Sequence, residues 1–209
     1  GRKAFSEHMK SPVDSSPQLR RNIHRLEKGL IMKPRRDIFG EAFIIQTIDL
    51  YGAILAAPSI SAEEMKWAED VLILYFETVG SSEVVDLARE KHAEIQRASS
   101  STNERDFVPY MRSESTLSSV NYEGLMALCQ QRRSVRWYKS DSIPDELINQ
   151  ALEVARTAPS ACNRQPFEFL VLNDKQQAPV IAALPAGTAG FAKQVPCIIV
   201  VIGDLSCYP

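Results

Sequence analysis

One short polar loop constrains this chain more than any other feature. It spans residues 159–167, with the sequence PSACNRQPF, and an apolar run follows at residues 168–172. Pro159 disfavours continuation of the helical pattern before it, and the β-rich run after the loop predicts a strand. We therefore expect the loop to lie between two rigid elements, where polar side chains are well placed to bind a ligand. Those side chains are Ser160, Asn163 and Gln165.

A cationic cluster, RRSVR, precedes the loop and follows a helical pattern over residues 122–131. Its polar members are Arg132, Arg133, Ser134 and Arg136. Guanidinium groups form paired hydrogen bonds with phosphate oxygens, so the composition is typical of an anion or phosphate clamp. The alternative is an exposed basic helix end, which the helix dipole favours. For the loop, the alternative is a capped turn in which Ser and Asn bond the local backbone.

Together, the two motifs resemble the nitroreductase family of flavin enzymes. The family pattern is R-R-S-x-R after a helix, then a second helix, then P-S-x-x-N-x-Q-P-[WF] leading into a strand. This sequence shows both motifs in that order, although Phe167 stands where the family usually has Trp. The resemblance covers about residues 121–209 and corresponds to the N-terminal half of the family domain. It implies further elements after Pro209, so we expect a fragment whose domain is incomplete at its C-terminal end. The alternative is a truncated variant whose cofactor site is incomplete or filled by a partner chain.

The resemblance implies an α+β, nitroreductase-like fold with a central mixed or antiparallel sheet flanked by helices. It also implies an oxidoreductase that uses FMN, with NADH or NADPH as the reductant and a small organic molecule as the electron acceptor. The hydride would pass through the flavin N5, which requires no catalytic side chain, and we assign none. A homodimer with FMN at the subunit interface is implied as well. The implied cofactor-binding residues are Arg132, Arg133, Ser134 and Arg136 at the phosphate, and Pro159, Ser160, Asn163 and Gln165 at the ring and ribityl chain.

Two other functions are compatible with the same motifs. One is a flavin-binding or assembly protein without turnover. The other is specialised flavin chemistry, such as dehalogenation or flavin breakdown. If the protein is the NAD(P)H-dependent oxidoreductase, we expect a yellow chromophore that NAD(P)H bleaches. If it is a flavin-binding protein without turnover, we expect colour without bleaching.

The patterns divide the chain into four parts. Residues 1–18 predict a flexible lead-in, residues 19–98 an all-helical module, residues 99–120 a linker, and residues 121–209 the FMN-binding domain. In the module, helical patterns cover residues 19–30, 39–57, 65–79 and 83–98, and Ser61 with Glu64 predicts a capping box. In the FMN-binding domain, Pro144 is expected at the first helical position. An apolar run at residues 197–202 lacks alternation, which predicts a strand covered on both faces.

Composition excludes several classes of protein. The net charge of −2 and the 44% hydrophobic content are ordinary for a globular protein and point to neither nucleic acid nor a membrane. The apolar runs are too short to cross a bilayer, so we expect a cytoplasmic protein. One local exception is a basic cluster over residues 20–36, where an anionic partner is the alternative to the favoured solvated or internally paired face.

The cysteines predict neither a metal site nor a disulfide framework. Four of them are scattered through the chain, none forms a C-x-x-C pair, and none lies near a histidine in the sequence. We therefore expect reduced thiols and no bound metal. Cys162 lies inside the polar loop. We favour the interpretation that it is a plain loop residue, and a redox role is the alternative.

Overall fold

The structure is a computed structural model that describes residue 3 and residues 16–56, 61–98, 107–113 and 117–208. Most of the predicted lead-in at residues 1–18 and half of the predicted linker at residues 99–120 lie outside these ranges. The chain forms two compact units. The first, which we call the helical unit, comprises residues 1–111, 160–166 and 204–209, and the second, the α/β unit, comprises residues 112–159 and 167–203.

Among its described residues, the helical unit is built from four α-helices. They are α1 (Pro17–Ile31), α2 (Ile44–Leu55), α3 (Ala62–Thr78) and α4 (Glu83–Ala98). Apolar side chains recur at helical spacing on each of them and meet in one core, so that α1 packs on α3 and α2 packs on α4. The largest fully buried apolar side chains of this core include Leu19, Ile23, Leu26, Ile48, Tyr51, Leu72 and Tyr75.

A buried carboxylate connects α1 to α3. The Glu64 side chain is 2% exposed and accepts a hydrogen bond from Nη2 of Arg20 at 2.5 Å and another from the Ser16 amide at 3.2 Å. Ser16 also caps α1, because its Oγ accepts from the Leu19 amide. The predicted capping box was therefore wrong: Ser61 makes no side-chain cap, and Glu64 binds groups 44 and 48 residues away in the sequence.

Two glycines allow the segment between α1 and α2 to lie close to its neighbours. A Cβ on Gly29 would fall 2.3 Å from the Phe39 ring, so only glycine admits that contact. Gly40 has φ +84°, a conformation that L side chains rarely adopt. The predicted helix from residue 39 was wrong at its start, because Gly40 interrupts the helical path and α2 begins at Ile44.

The described part of the α/β unit contains three α-helices and two strands. The helices are α5 (Tyr122–Gln131), α6 (Asp145–Arg156) and α7 (Gln177–Ala182), and the strands are β1 (Phe167–Leu172) and β2 (Ile198–Gly203). The strands pair antiparallel with Phe167 opposite Gly203, which makes the fold α+β. Pro144 occupies the N-cap of α6 rather than its first helical position.

The sheet of the α/β unit is open on one side within the described residues. Ile199 and Val201 of β2 are 39% and 63% exposed, whereas α7 and Phe191 pack near the start of the strand. The prediction that this strand is covered on both faces was therefore wrong for the part of the chain described. The run lacks alternation because both faces are apolar, although only one of them is partly covered.

None of the helices in the described ranges is both long enough and apolar enough to cross a membrane. The cytoplasmic location expected from the sequence stays a prediction.

A buried histidine lies between aromatic rings in the helical unit. His92 on α4 is 4% exposed, and its ring centroid lies 5.1 Å from that of Phe76 and 6.0 Å from that of Tyr51. Its Nε2 has no hydrogen-bond partner among the described residues. Burial disfavours the charged imidazolium and lowers the pKa of His92 from 6.5 to about 4.

We expect this histidine to make the helical unit less stable in mild acid. As pH falls below 6.5, the unfolded state binds a proton that the folded state binds only near pH 4, so the free energy of unfolding decreases between these values. The loss reaches about 3 kcal/mol at pH 4, and His92→Phe should remove it. Urea unfolding of both proteins at pH 7.5, 5.5 and 4 measures the difference. Parallel pH profiles for the two proteins would contradict the assignment.

Candidate functional site

The arginine cluster follows directly from the end of α5. Asn121 caps the start of this helix by accepting from the Gly124 amide, and the helix ends at Gln131, where Arg132 takes an extended conformation with φ −61° and ψ 129°. The cluster is therefore irregular, and the arginines do not extend a helix. All four polar residues of the cluster are exposed.

The arginines of the cluster differ in what they contact. Nη1 of Arg133 donates to the carbonyl oxygens of Gln130 and Arg132, so this side chain caps the C-terminal end of α5. Arg136 makes one long hydrogen bond, 3.5 Å, to the Ser134 carbonyl. No ion pair joins Arg132, Arg133 or Arg136 to an acid among residues 117–208. Arg133 therefore fits in part the alternative of a basic helix end. Arg132 and Arg136 are available to bind an external anion.

The loop folds into a tight, left-handed path. Residues Ala161–Asn163 form a single 3₁₀ turn, and Cys162, Asn163 and Gln165 have φ values of 55°, 50° and 47°. Asn tolerates this region, but Cys and Gln rarely adopt it. Each such residue costs on the order of 1 kcal/mol and persists where its surroundings dictate it, often at a ligand site.

Internal hydrogen bonds hold the loop in this path. Oγ of Ser160 accepts from the Gln165 amide at 2.8 Å, and Oδ1 of Asn163 accepts from Nε2 of Gln165 at 2.9 Å. The Asp204 amide closes the far end of the loop by donating to the Pro166 carbonyl at 2.8 Å. The hydrogen bond from the Gln165 amide to Ser160 is of the kind that the capped-turn alternative predicts. The internal bonds leave three groups for other partners: the hydroxyl proton of Ser160, Nδ2 of Asn163 and Oε1 of Gln165.

The predicted site residues divide between the two units. Ser160, Asn163 and Gln165 belong to the helical unit, where the loop packs against α1. The cluster residues and Pro159 belong to the α/β unit. The structure brings the three loop residues together through the hydrogen bonds described above, and it keeps the cluster together at the end of α5.

The sequence patterns did not single out Arg164. Its guanidinium carbon lies 5.1 Å from the centroid of the Tyr208 ring, so a cation of the loop stacks against an aromatic ring from the end of the chain. The signal available in the sequence was a cation between Asn163 and Gln165. No spacing of residues indicated the partner, because the contact joins residues 44 positions apart.

The donor groups of the cluster and those of the loop each suit one part of a flavin mononucleotide. Guanidinium groups without ion pairs suit a phosphate that carries close to two negative charges. A rigid loop that presents a hydroxyl and two amides suits the polar edge of a ring or a polyol chain. The four cysteines are free, and no group of three or more potential metal ligands occurs in the described ranges.

Part of the chain matches the model of the nitroreductase family. The match covers residues 129–203, in the C-terminal half of this chain, and includes both the arginine cluster and the loop. Which half of the family domain these residues correspond to stays a prediction.

Several curated proteins are similar to part of the chain. An NADH dehydrogenase of Thermus thermophilus is 35% identical over 75 residues, 36% of each chain. An iodotyrosine deiodinase of Hydra vulgaris is 29% identical over 99 residues, 44% of this chain and 36% of its own. A 5,6-dimethylbenzimidazole synthase of Rhodospirillum rubrum is 41% identical over 59 residues, 28% of each. The chain therefore spans about a third of the length of these relatives, and no solved structure matches it.

We expect the Ser160 hydroxyl to hold the loop closed. In Ser160→Ala, the Gln165 amide loses its acceptor, and one hydrogen bond of about 1 kcal/mol corresponds to roughly fivefold faster exchange of that amide with solvent. Hydrogen exchange followed by NMR measures the rate. Ser140→Ala, an exposed serine of the α/β unit, is the control and should leave the Gln165 rate unchanged. Equal rates in all three proteins would show that the loop path does not depend on this bond.

Proposed function

Because residues 129–203 belong to the nitroreductase family, we propose that the protein is an FMN-dependent oxidoreductase that transfers a hydride from NADH or NADPH to a small organic acceptor. The observation that supports this proposal best is that the family match includes both polar motifs. The structure adds that Arg132 and Arg136 lack ion pairs within residues 117–208 and that the loop is a rigid, hydrogen-bonded turn.

We assign the phosphate end of FMN to the arginine cluster. Arg132 and Arg136 would supply guanidinium donors, and Ser134 would add a hydroxyl. Arg133 has a divided role, because its guanidinium already caps α5. We therefore expect it to contribute less to phosphate binding than its two neighbours, unless it exchanges the helix carbonyls for phosphate oxygens.

We assign the ring and ribityl chain to the loop. Pro159 ends the approach from α6, and Ser160, Asn163 and Gln165 would hydrogen-bond the cofactor with the groups that the internal bonds leave open. The bound flavin would supply the redox chemistry by accepting and donating a hydride. The protein then has to bind and orient it, which is consistent with a site that needs no acid or base side chain.

Other flavin chemistry is a second candidate. The relatives include an iodotyrosine deiodinase and a 5,6-dimethylbenzimidazole synthase besides an NADH dehydrogenase, so similar sequences serve different reactions. A flavin-binding or assembly protein without turnover is the third candidate. Because the chain spans about a third of these relatives, the activity of the whole protein is a proposal in every case.

We further propose a homodimer, with the helical module of residues 19–98 as a domain preceding the FMN-binding domain at residues 121–209. Exposed apolar residues of the α/β unit support an interface there. No residue of α5 is buried, and Tyr122, Leu125 and Leu128 on this helix are 68%, 55% and 66% exposed. Apolar side chains concentrated on one short helix are typical of a surface that another chain covers.

The absorption spectrum tests the oxidoreductase proposal directly. We expect the purified protein, reconstituted with FMN, to show a flavin spectrum that bleaches anaerobically when NADH or NADPH is added. Colour without bleaching would favour the binding protein. A protein that does not retain FMN would contradict the cofactor assignment.

The phosphate assignment predicts a large effect of two substitutions. Arg132→Ala with Arg136→Ala should weaken FMN binding about 100-fold, because each removes a charge-assisted hydrogen bond of about 1.5–3 kcal/mol, reduced by solvent at this exposed site. Titration of the flavin fluorescence measures the dissociation constant. Arg156→Ala, at an exposed arginine on α6, is the control for loss of an arginine elsewhere in the α/β unit. Unchanged FMN affinity in the double variant would remove the phosphate assignment.

A further inference from the structure

A cleft in the helical unit combines cationic and apolar walls. It has a volume of about 320 Å³ and lies between the C-terminal half of α1 and the segment before α2. The lining comprises three cations, two glycines and three apolar side chains, without an acidic residue: Arg25, Lys28, Arg36, Gly29, Gly40, Met32, Phe39 and Phe43. These cations belong to the basic cluster that the sequence shows over residues 20–36, and the proposed flavin chemistry does not use them.

The cations of the cleft have no acidic partner among the described residues. Arg20, at the other end of the basic cluster, is neutralised by Glu64. Lys28 and Arg36, in contrast, make neither a hydrogen bond nor an ion pair with any described residue. The favoured interpretation was a solvated or internally paired basic face: Lys28 and Arg36 are exposed and fit its solvated part, whereas Arg20 is paired with Glu64.

The nearby acids face other groups. Oε1 of Glu27 accepts from Nε1 of Trp67 at 2.8 Å, and Oε1 of Glu41 accepts from Oγ of Ser82 at 2.8 Å. The Asp37 carboxylate lies against Gly80, so close that a Cβ there would be 2.6 Å from Oδ2. These three acids therefore contact groups other than the cations of the cleft.

The aromatic wall fixes one of the cations. The Arg25 guanidinium carbon lies 3.6 Å from the centroid of the Phe43 ring, which is the geometry of a cation–π contact. Partial burial, together with repulsion from Arg21, lowers the pKa of Arg25 from its ordinary value. A cation held against a ring without an acidic partner is prepared to bind an anion, because its position does not have to be ordered on binding.

Close packing shapes the apolar part of the cleft. The Phe39 ring lies on Gly29, where any larger residue would displace it, and the other edge of the ring packs on Tyr75. The phenol of Tyr75 donates to the Phe39 carbonyl at 2.7 Å, which ties this segment to the core. Phe39, Met32 and Phe43 therefore present an ordered apolar surface next to the cations.

We propose that this cleft binds a small organic anion that joins a phosphate or carboxylate group to an apolar or aromatic group. The anionic group would lie among Arg25, Lys28 and Arg36, and the apolar group would pack against Met32 and the Phe39 ring. This site is distinct from the arginine cluster after α5 and does not depend on the proposed flavin chemistry.

Binding of phenyl phosphate to the whole chain tests the proposal by isothermal titration calorimetry. We expect phenyl phosphate to bind more tightly than inorganic phosphate, because only the former fills the apolar wall, and benzyl alcohol not to bind. A parallel titration with 3-phenylpropionate determines whether the cleft prefers a phosphate or a carboxylate. Absence of binding by both aromatic anions at millimolar concentration would overturn the proposal.

Two substitutions locate the binding. Lys28→Gln with Arg36→Gln should weaken phenyl phosphate binding by about 10-fold or more, since two cations are lost from a partly solvated site. Neither side chain supports the fold through a hydrogen bond to a described residue, and circular dichroism confirms that the helices remain. Arg97→Gln, an exposed arginine at the end of α4, is the matched control and should bind as the unchanged protein does. Equal binding by all three proteins would overturn the assignment.

The same variants separate this proposal from the flavin assignment. We expect Lys28→Gln with Arg36→Gln to retain FMN, and Arg132→Ala with Arg136→Ala to retain phenyl phosphate binding. If only the latter variant lost phenyl phosphate, the anion would bind at the cluster after α5 and the cleft would not be a site.

Discussion

The ion pair between Arg20 and Glu64 connects α1 to α3, and much of the helical unit depends on α1. The Glu64 side chain is almost completely buried, so its charge requires both the guanidinium at 2.5 Å and the Ser16 amide at 3.2 Å. A buried pair of this kind adds little net stability, but loss of one partner costs about 3–5 kcal/mol, because the other charge stays buried. The pair therefore specifies how α1 packs on α3 more than it stabilises the unit. The same helix provides Arg25 and Lys28 to the basic cleft and contacts the polar loop.

The two units differ in the size of the buried core that each of them forms. The helical unit has a continuous core of large, fully buried side chains from four helices. The α/β unit has a small buried cluster of Ala182, Ala192 and Val195, and its ten-residue helix α5 buries nothing among the described residues. An isolated helix of this length is marginal in water. The arginine cluster that follows α5 is thus attached to an element that needs apolar contacts beyond those described within its own unit.

Local patterns predicted the elements well and the long-range contacts poorly. The β1 strand at Phe167–Leu172 and the helices at Glu83–Ala98 and Tyr122–Gln131 were correct because a β-rich run and helical spacing are local properties. The predicted start of α2 and the predicted Ser61 cap were wrong because the conformation of Gly40 and the hydrogen bonds of Glu64 depend on residues far away in the sequence. The left-handed residues of the loop were likewise not predictable, since Cys162 and Gln165 rarely adopt positive φ values and nothing in their side chains indicates them.

The two anion sites proposed for this chain rest on different physical grounds. At the arginine cluster, the cations lie on an irregular segment at a helix end, and solvent surrounds them. Their contribution to binding would therefore come from the phosphate contacts that they can form. In the basic cleft, glycine-dependent packing of Phe39 and stacking of Arg25 on Phe43 order part of the site before a ligand arrives. Pre-ordering reduces the entropic cost of binding, so the cleft can recognise an apolar group and a charge together, whereas the cluster recognises charge alone. In the proposed FMN site the loop would supply the remaining recognition. Its three left-handed residues lie in a path closed by hydrogen bonds that involve Ser160 and Asp204, although Cys and Gln rarely adopt such φ values.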